Sequence, residues 1–268
     1  DQVALSAYAN ATGRLNVFNQ TDVTLAAATG RVRHTLLAGA ELGRQSTENF
    51  RTTGYFNNTA TSTLAPFADA VIRTPTTFRQ SATDADNHVV THIAAAYAQD
   101  QIELTRKLQL VAGVRVDRFA LDYRNRRNGD RLERLDPLVS PRLGIVYKPV
   151  ASVSLYANQS VSFLPSAGDQ FASLTNITQQ VKPEKFTNRE LGVKWNLRDS
   201  LAVTAALYRL DRTNTRSVDP NDPTRIVQTG SQRSNGLELG VAGNLMRRWQ
   251  VAGGYAWQDA YVASATAA

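Results

Sequence analysis

The sequence predicts an all-β fold, an antiparallel transmembrane β-barrel of which this chain supplies a part. Three observations lead there. About ten segments of roughly ten to fifteen residues alternate apolar with polar side chains. Short turns and long polar connections alternate between them, and charge avoids one parity of most segments. A strand points successive side chains to opposite faces, so this spelling gives each segment an apolar and a polar face. A closed barrel satisfies its backbone hydrogen bonds internally and needs only its lipid side apolar.

The first strand is expected near residues 15–27, with a turn at 28–31 and a second strand over 32–43. Residues 44–87 contain Gly54, Pro66 and Pro75 with many Thr and Asn residues, the composition of a long irregular surface loop. Strands resume at 89–104 and 108–119 about the turn Thr105-Arg106-Lys107. A loop to about residue 138 follows, then strands 139–147 and 151–163 around a tight Lys148-Pro149-Val150 turn. Long loops at 164–185 and 213–227 flank strands 186–197 and 201–211, which share a turn at Arg198-Asp199.

The last hairpin, residues 236–258, is the clearest. Leu237, Leu239, Val241 and Leu245 share one parity with Gly243, and Glu238 and Asn244 take the other. After Met246-Arg247-Arg248, Trp249, Val251, Tyr255 and Trp257 continue the apolar side, while Gln250 and Gln258 continue the polar one.

Charge follows the same division. Leu108, Leu110, Ala112, Val114 and Val116 oppose Arg115 and Asp117; Leu191, Val193, Trp195 and Leu197 oppose Glu190, Lys194 and Asn196. A lipid-facing Arg or Lys at mid-bilayer costs about 2–4 kcal/mol, which gives this exclusion a cause. Two strands depart from it: Asp100 shares the parity of Ala96 and Ile102, and the 201–210 segment changes its apolar parity near Leu207 and Tyr208. A bulge, or a position beyond the hydrocarbon, accommodates either. Tyr147, Trp195, Trp249, Tyr255 and Trp257 fall near strand ends, where an interfacial girdle belongs. Strands of a soluble sandwich would usually be about half as long.

The 268 residues are 42% hydrophobic, a globular composition that hides the membrane signal. No apolar run approaches the roughly 20 residues of a spanning helix. With no cysteine, disulfide frameworks and thiolate metal sites are excluded. The chain opens at Asp1 without a signal-like segment and stops in an Ala-rich run, so it reads as an internal fragment, residues 1–268 being part of one barrel domain. The formal charge of +7 suits an anionic partner: lipopolysaccharide and an anionic ligand are the two candidates, and nucleic acid has no recognition motif to support it.

Enzyme chemistry finds little footing. His88 and His92 have a four-residue spacing that joins two metal ligands on a helix, but the pattern around them is strand or loop. No G-x-S-x-G nucleophile elbow is present, so neither catalytic nor metal-ligating residues are assigned.

Longer motifs are more specific. The run Val181-Lys182-Pro183-Glu184-Lys185-Phe186-Thr187-Asn188-Arg189-Glu190-Leu191-Gly192-Val193-Lys194-Trp195 resembles the "KPE…E.G.K" signature of TonB-dependent outer-membrane siderophore receptors. Residues 205–214, 230–239, Tyr97-Ala98-Gln99-Asp100-Gln101, Gly113-Val114-Arg115-Val116-Asp117 and Ser140-Pro141-Arg142-Leu143-Gly144 resemble strands of the same family. The resemblance spans about residues 21–259 and is nearest to the catecholate-type ferric siderophore receptor branch across 182–255. It implies a 22-stranded outer-membrane barrel, a plug in its lumen, and active uptake energised by the TonB complex. About ten strands are under half of such a barrel, and the plug and TonB-contacting N-terminal segment are not in this chain. A passive porin, and less readily a barrel-embedded enzyme, are the alternatives.

The resemblance implies a ferric siderophore as transported ligand, with no further cofactor. A ferric tris-catecholate is a bulky anion with aromatic faces, for which arginines and aromatic rings are natural complements. Arg124, Arg126, Arg127, Arg131 and Arg134 crowd one predicted loop, and Tyr55, Phe56 and Phe67 lie in another. The alternative for these residues is a solvated loop or a rim touching lipopolysaccharide and outer-membrane lipid.

Overall fold

The computed structural model describes residues 1–166, 174–175, 179–198, 200–219 and 222–264. The first half contains β1 (Gln2–Leu5), β2 (Tyr8–Thr29), β3 (Val32–Phe56), β4 (Thr63–Pro66), a 3-10 turn (Phe67–Asp69), β5 (Thr76–Arg79), β6 (Asp86–Glu103) and β7 (Leu108–Asn125). The second contains β8 (Arg131–Val150), β9 (Val153–Leu164), β10 (Glu184–Arg198), β11 (Leu201–Asp219), β12 (Asp222–Met246) and β13 (Trp249–Ser264). Ten strands form one antiparallel meander in the order β13-β12-β11-β10-β9-β8-β7-β6-β3-β2; β5 pairs with the end of β3, and β1 with β4. The predicted architecture, part of a barrel wall, is present.

Most strands run further than the alternation suggests. β3 continues through residues 44–56, β8 begins at Arg131, and β11 and β12 stay paired to Asp219↔Asp222, so much of the predicted 44–87, 120–138 and 213–227 loops is sheet. Ladder hydrogen bonds belong to the backbone. Above the hydrocarbon neither face must be apolar, so strands continue there without the pattern that reveals them. The 148–150 turn is displaced as well. Strand β8 includes Pro149, Val150 pairs with Val153, and the turn falls at Ala151-Ser152 after a register shift beyond Tyr147. Pro149 removes one donor from the ladder without ending the extended backbone. At the β2–β3 turn Gly30 has φ +64°, a left-handed conformation that glycine adopts without strain. Asp199, in the predicted 198–199 turn, lies outside the described residues.

The ladder registers also give the inclination of the strands. Arg189 is level with Gln159, Leu143, Ala112, Asp100 and Leu36 on successive neighbours. The upper edge of the apolar face climbs instead, from Leu191/Arg189 in β10 through Val116/Arg118 in β7 and Ala94/His92 in β6 to Leu42/Arg44 in β3. From Leu36 to Arg44 is eight residues of climb over five strand steps, roughly 26 Å against 24 Å, a slope of about 45°. Strands of an outer-membrane barrel tilt by about this angle.

Neither exceptional position is a bulge. Asp100 lies in unbroken register, and one oxygen of its outward carboxylate, Oδ2, is 2.7 Å from Nδ1 of His34. Leu201, Val203, Ala205 and Leu207 keep one parity throughout; Tyr208 belongs to the other and covers Gly236. The girdle aromatics are exposed, as lipid-facing residues are in a barrel wall seen alone. On the opposite face Val89, Phe119, Leu121 and Leu132 bury together with Leu174, which packs on the inner side of β6–β8.

Candidate functional site

The polar face carries a connected set of side chains. Arg115 donates from Nη1 to Glu41 at 2.9 Å and from Nη2 to Asp117 at 2.7 Å, and its guanidinium lies 5.5 Å from the centre of the Tyr97 ring. The Tyr97 hydroxyl donates to Asp22 and accepts from Gln20 at 2.9 Å. These residues come from β2, β3, β6 and β7, brought side by side by register alone. Arg115 and Asp117 are legible as wet-face residues; their partners are not, because no local pattern specifies a register.

The signature motif proves to be a set of braces between strands. The Glu184 carboxylate, 6% exposed, accepts from Arg212 Nε at 2.7 Å and pins β10 to β11. The Gln228 side chain in β12 accepts from Lys182 N at 2.6 Å and donates to Lys182 O, and Asn214 Nδ2 donates to Pro183 O at 2.9 Å. Further along, Glu190, Gly192 and Lys194 all serve Tyr156 of β9. Its hydroxyl donates to Glu190 at 2.5 Å, its ring fills the space beside Gly192, and Lys194 Nζ lies 5.8 Å from its centre.

The five candidate arginines do not converge. Arg124 and Arg131 are exposed cross-strand partners on the outward parity of the β7–β8 hairpin. At its tip Arg126 donates to Glu48 at 2.6 Å and Arg127 donates to the Ser81 carbonyl at 2.9 Å. Arg134 lies on the opposite face, donating to Asp136 at 2.6 Å and to the Gln179 carbonyl at 2.5 Å; Asp136, 1% exposed, also accepts from Ser166 N at 3.0 Å. Alternation in a hairpin separates residues that crowd together in sequence. Among the aromatics, Tyr55 is the penultimate residue of β3 and stacks under Arg79 at 3.7 Å, Phe56 is 2% exposed, and Phe67 is 73% exposed in the 3-10 turn. Arg126, Arg127 and Phe67 are thus exposed at the end of the long connections, as are Arg124 and Arg131 on the outward parity, while Tyr55 is half-buried under Arg79.

The same end contains a braced carboxylate that sequence reasoning did not single out. Burial alone would raise the Asp84 carboxyl, but the Ser81 amide at 2.7 Å, the Thr53 hydroxyl at 2.9 Å and Arg51 at 3.4 Å outweigh it and hold it below its ordinary range. His88 and His92 share one parity of β6, about 13 Å apart at strand rise, and His88 is 3.0 Å from Ser46 Oγ. Among the described residues no three His, Asp or Glu side chains gather into a metal site.

Residues 2–268 match the family described as "TonB dependent receptor-like, beta-barrel". The chain is 34% identical over 274 residues to the "Probable TonB-dependent receptor BfrD" of Bordetella pertussis strain Tohama I, covering 92% of this chain and 36% of that protein. It is 30% identical over 274 residues to the "Catecholate siderophore receptor Fiu" of Escherichia coli strain K12, covering 91% of this chain and 35% of that one. Its fold is similar to the crystal structure of the siderophore receptor PiuA from Acinetobacter baumannii, with a TM-score of 0.81 at 23% identity over 96% of this chain and 40% of that chain. The chain thus spans about a third of the length of the curated relatives it matches. The antiparallel wall with one apolar and one polar face fits that match, and the chain belongs to the TonB-dependent receptor-like β-barrel family.

Proposed function

We propose that the full-length protein containing this segment imports a ferric siderophore, of the catecholate class, in a process energised by the TonB complex. The observation that carries this reading is the alignment of 91% of the chain with a protein named as a catecholate siderophore receptor. The accessible end of the sheet supports it. Arg126 and Arg127 supply charge-assisted donors, and Tyr55 and Phe67 supply aromatic faces, the two features that an anionic aromatic chelate engages. The role of this segment is to build the wall and part of the mouth; energy coupling belongs to residues outside it. The family match favours this reading over a passive porin.

The test is uptake of radioactive iron by iron-starved cells whose only candidate receptor is the complete protein. Ferric catecholate should enter in intact cells and stop when the proton-motive force is collapsed. Entry that persists without it indicates a passive pore. Uptake of hydroxamate but not catecholate chelates moves the cargo to a different class.

A further inference from the structure

On the outward parity, the upper edge of the apolar face bears two groups of cations that are handled differently. In β10–β12, Arg189 and Arg209 each reach Asp211 at 3.0 Å and Arg233 reaches it at 2.7 Å, so an internal carboxylate gathers all three. In β3, β6 and β7 the corresponding edge presents Arg44, His92 and Arg118, all exposed. Arg44 pairs directly with His92 across the ladder. Arg118 stands opposite Ala94, one diagonal step from His92, within reach of long side chains. Among the described residues none of these three has an ion pair or a hydrogen-bonded side-chain partner. This part of the edge thus collects positive charge, and no carboxylate among the described residues comes within ion-pair distance of it.

We propose that Arg44, His92 and Arg118 form a headgroup site for the phosphate of an outer-leaflet glycolipid, the lipid A of lipopolysaccharide. Leu42 and Ala94 continue the outward apolar face below Arg44 and His92, Val17 stands beside Arg44 on β2, and these residues line one shallow groove with the three cations. The groove is amphipathic along the membrane normal, with cations at the edge and hydrocarbon-compatible side chains beneath. A free phosphate would use only the upper part, whereas an acylated phosphosugar uses both. Guanidinium groups suit phosphate oxygens through paired, charge-assisted hydrogen bonds, which gain strength beside a low-dielectric layer. Arg44 and Arg118 supply that fork from two strands, and His92 between them adds a ring nitrogen donor. The inference rests on the outward direction of the long connections and not on the cargo, so failure of siderophore uptake leaves it standing.

The experiment uses the full-length receptor in mild detergent, titrated with purified diphosphoryl lipid A and, separately, with its dephosphorylated form, with bound lipid counted by native mass spectrometry. The intact receptor should bind the diphosphoryl form about tenfold more tightly or better, a difference that one charge-assisted contact can supply. Arg44→Gln with Arg118→Gln should abolish that preference, whereas Arg189→Gln with Arg209→Gln should keep it. Equal binding of the two lipids by the intact receptor overturns the proposal even where the glutamine variant fails to assemble. Retention of the preference in an assembled Arg44→Gln/Arg118→Gln receptor overturns it as well, and so does full displacement of the lipid by millimolar inorganic phosphate, which would make this a site for free phosphate.

Discussion

Tyr156 and Gly192 stand opposite each other in the β9–β10 ladder, and a Cβ on Gly192 would lie 2.4 Å from the Tyr156 ring. The ring is fixed from both sides, by its hydrogen bond to Glu190 and by Lys194. Gly236 and Tyr208 repeat the arrangement between β11 and β12. Glycine in a strand interior weakens it and invites slippage, and a cross-strand aromatic covering the gap restores both packing and register. Glu190, Gly192 and Lys194 of the family motif are therefore explained by one neighbouring ring.

Gly192→Ala should force the Tyr156 ring away and break its bond to Glu190, lowering barrel stability by about 1–3 kcal/mol, as overpacking does. Chemical unfolding of the full-length receptor in detergent reads this directly. The Tyr156→Ala/Gly192→Ala double variant should lose less than the sum of the single changes. Strict additivity would show that ring and glycine do not interlock.

The dispersal of the arginines gives a second expectation. Replacing Arg124, Arg126 and Arg127 together with Ser should weaken ferric catecholate binding and make the remainder less sensitive to salt, with normal assembly. Arg134→Ser should instead impair assembly, because Asp136 is 1% exposed and would lose its ionic partner. Equilibrium binding at several salt concentrations and heat-modified electrophoretic mobility separate the two. Unchanged affinity and salt response in the triple variant would assign these tip residues to solvent or lipid contact.

Asp84 supplies a pH expectation. Its carboxyl titrates below the ordinary value of 3.8 in the folded protein, so the stabilisation is fully present above that value and is lost as pH falls through the lower folded one. Amide exchange at Ser81, corrected for intrinsic pH dependence, should therefore be slow at neutral pH and accelerate only below about pH 4. Asp84→Asn should accelerate it at neutral pH. Equal protection in the variant would mean that the carboxylate does not hold this segment.

The sequence made the membrane-spanning part legible because lipid enforces a period of two on Leu237 to Leu245 and on Leu108 to Val116. It also revealed the short turns near residues 30, 106 and 247, whereas the turn expected at 148–150 lies at Ala151-Ser152. It hid the polar upper strands around Arg44–Phe56 and Thr213–Asp219, where backbone hydrogen bonds suffice. Cross-strand partners were hidden for a related reason. Tyr97 with Asp22 and Tyr156 with Gly192 are separated by 75 and 36 residues, and only register joins them. How the arginines divide between faces was hidden too, because density along a chain says nothing about which face each residue takes.

The central claim is that one parity of these strands meets lipid and the other meets a wet interior, and Val241 and Glu238 test it within a single strand. Val241 pairs with Val203 and Gly253 on the apolar face, while Glu238 lies between Ala206 and Ala256 on the polar one. The measurement is the folding free energy of the full-length receptor into lipid bilayers for Val241→Arg and Glu238→Gln. Val241→Arg should cost about 2–4 kcal/mol and Glu238→Gln much less. Equal costs, or a larger cost at Glu238, would contradict the assignment of the two faces.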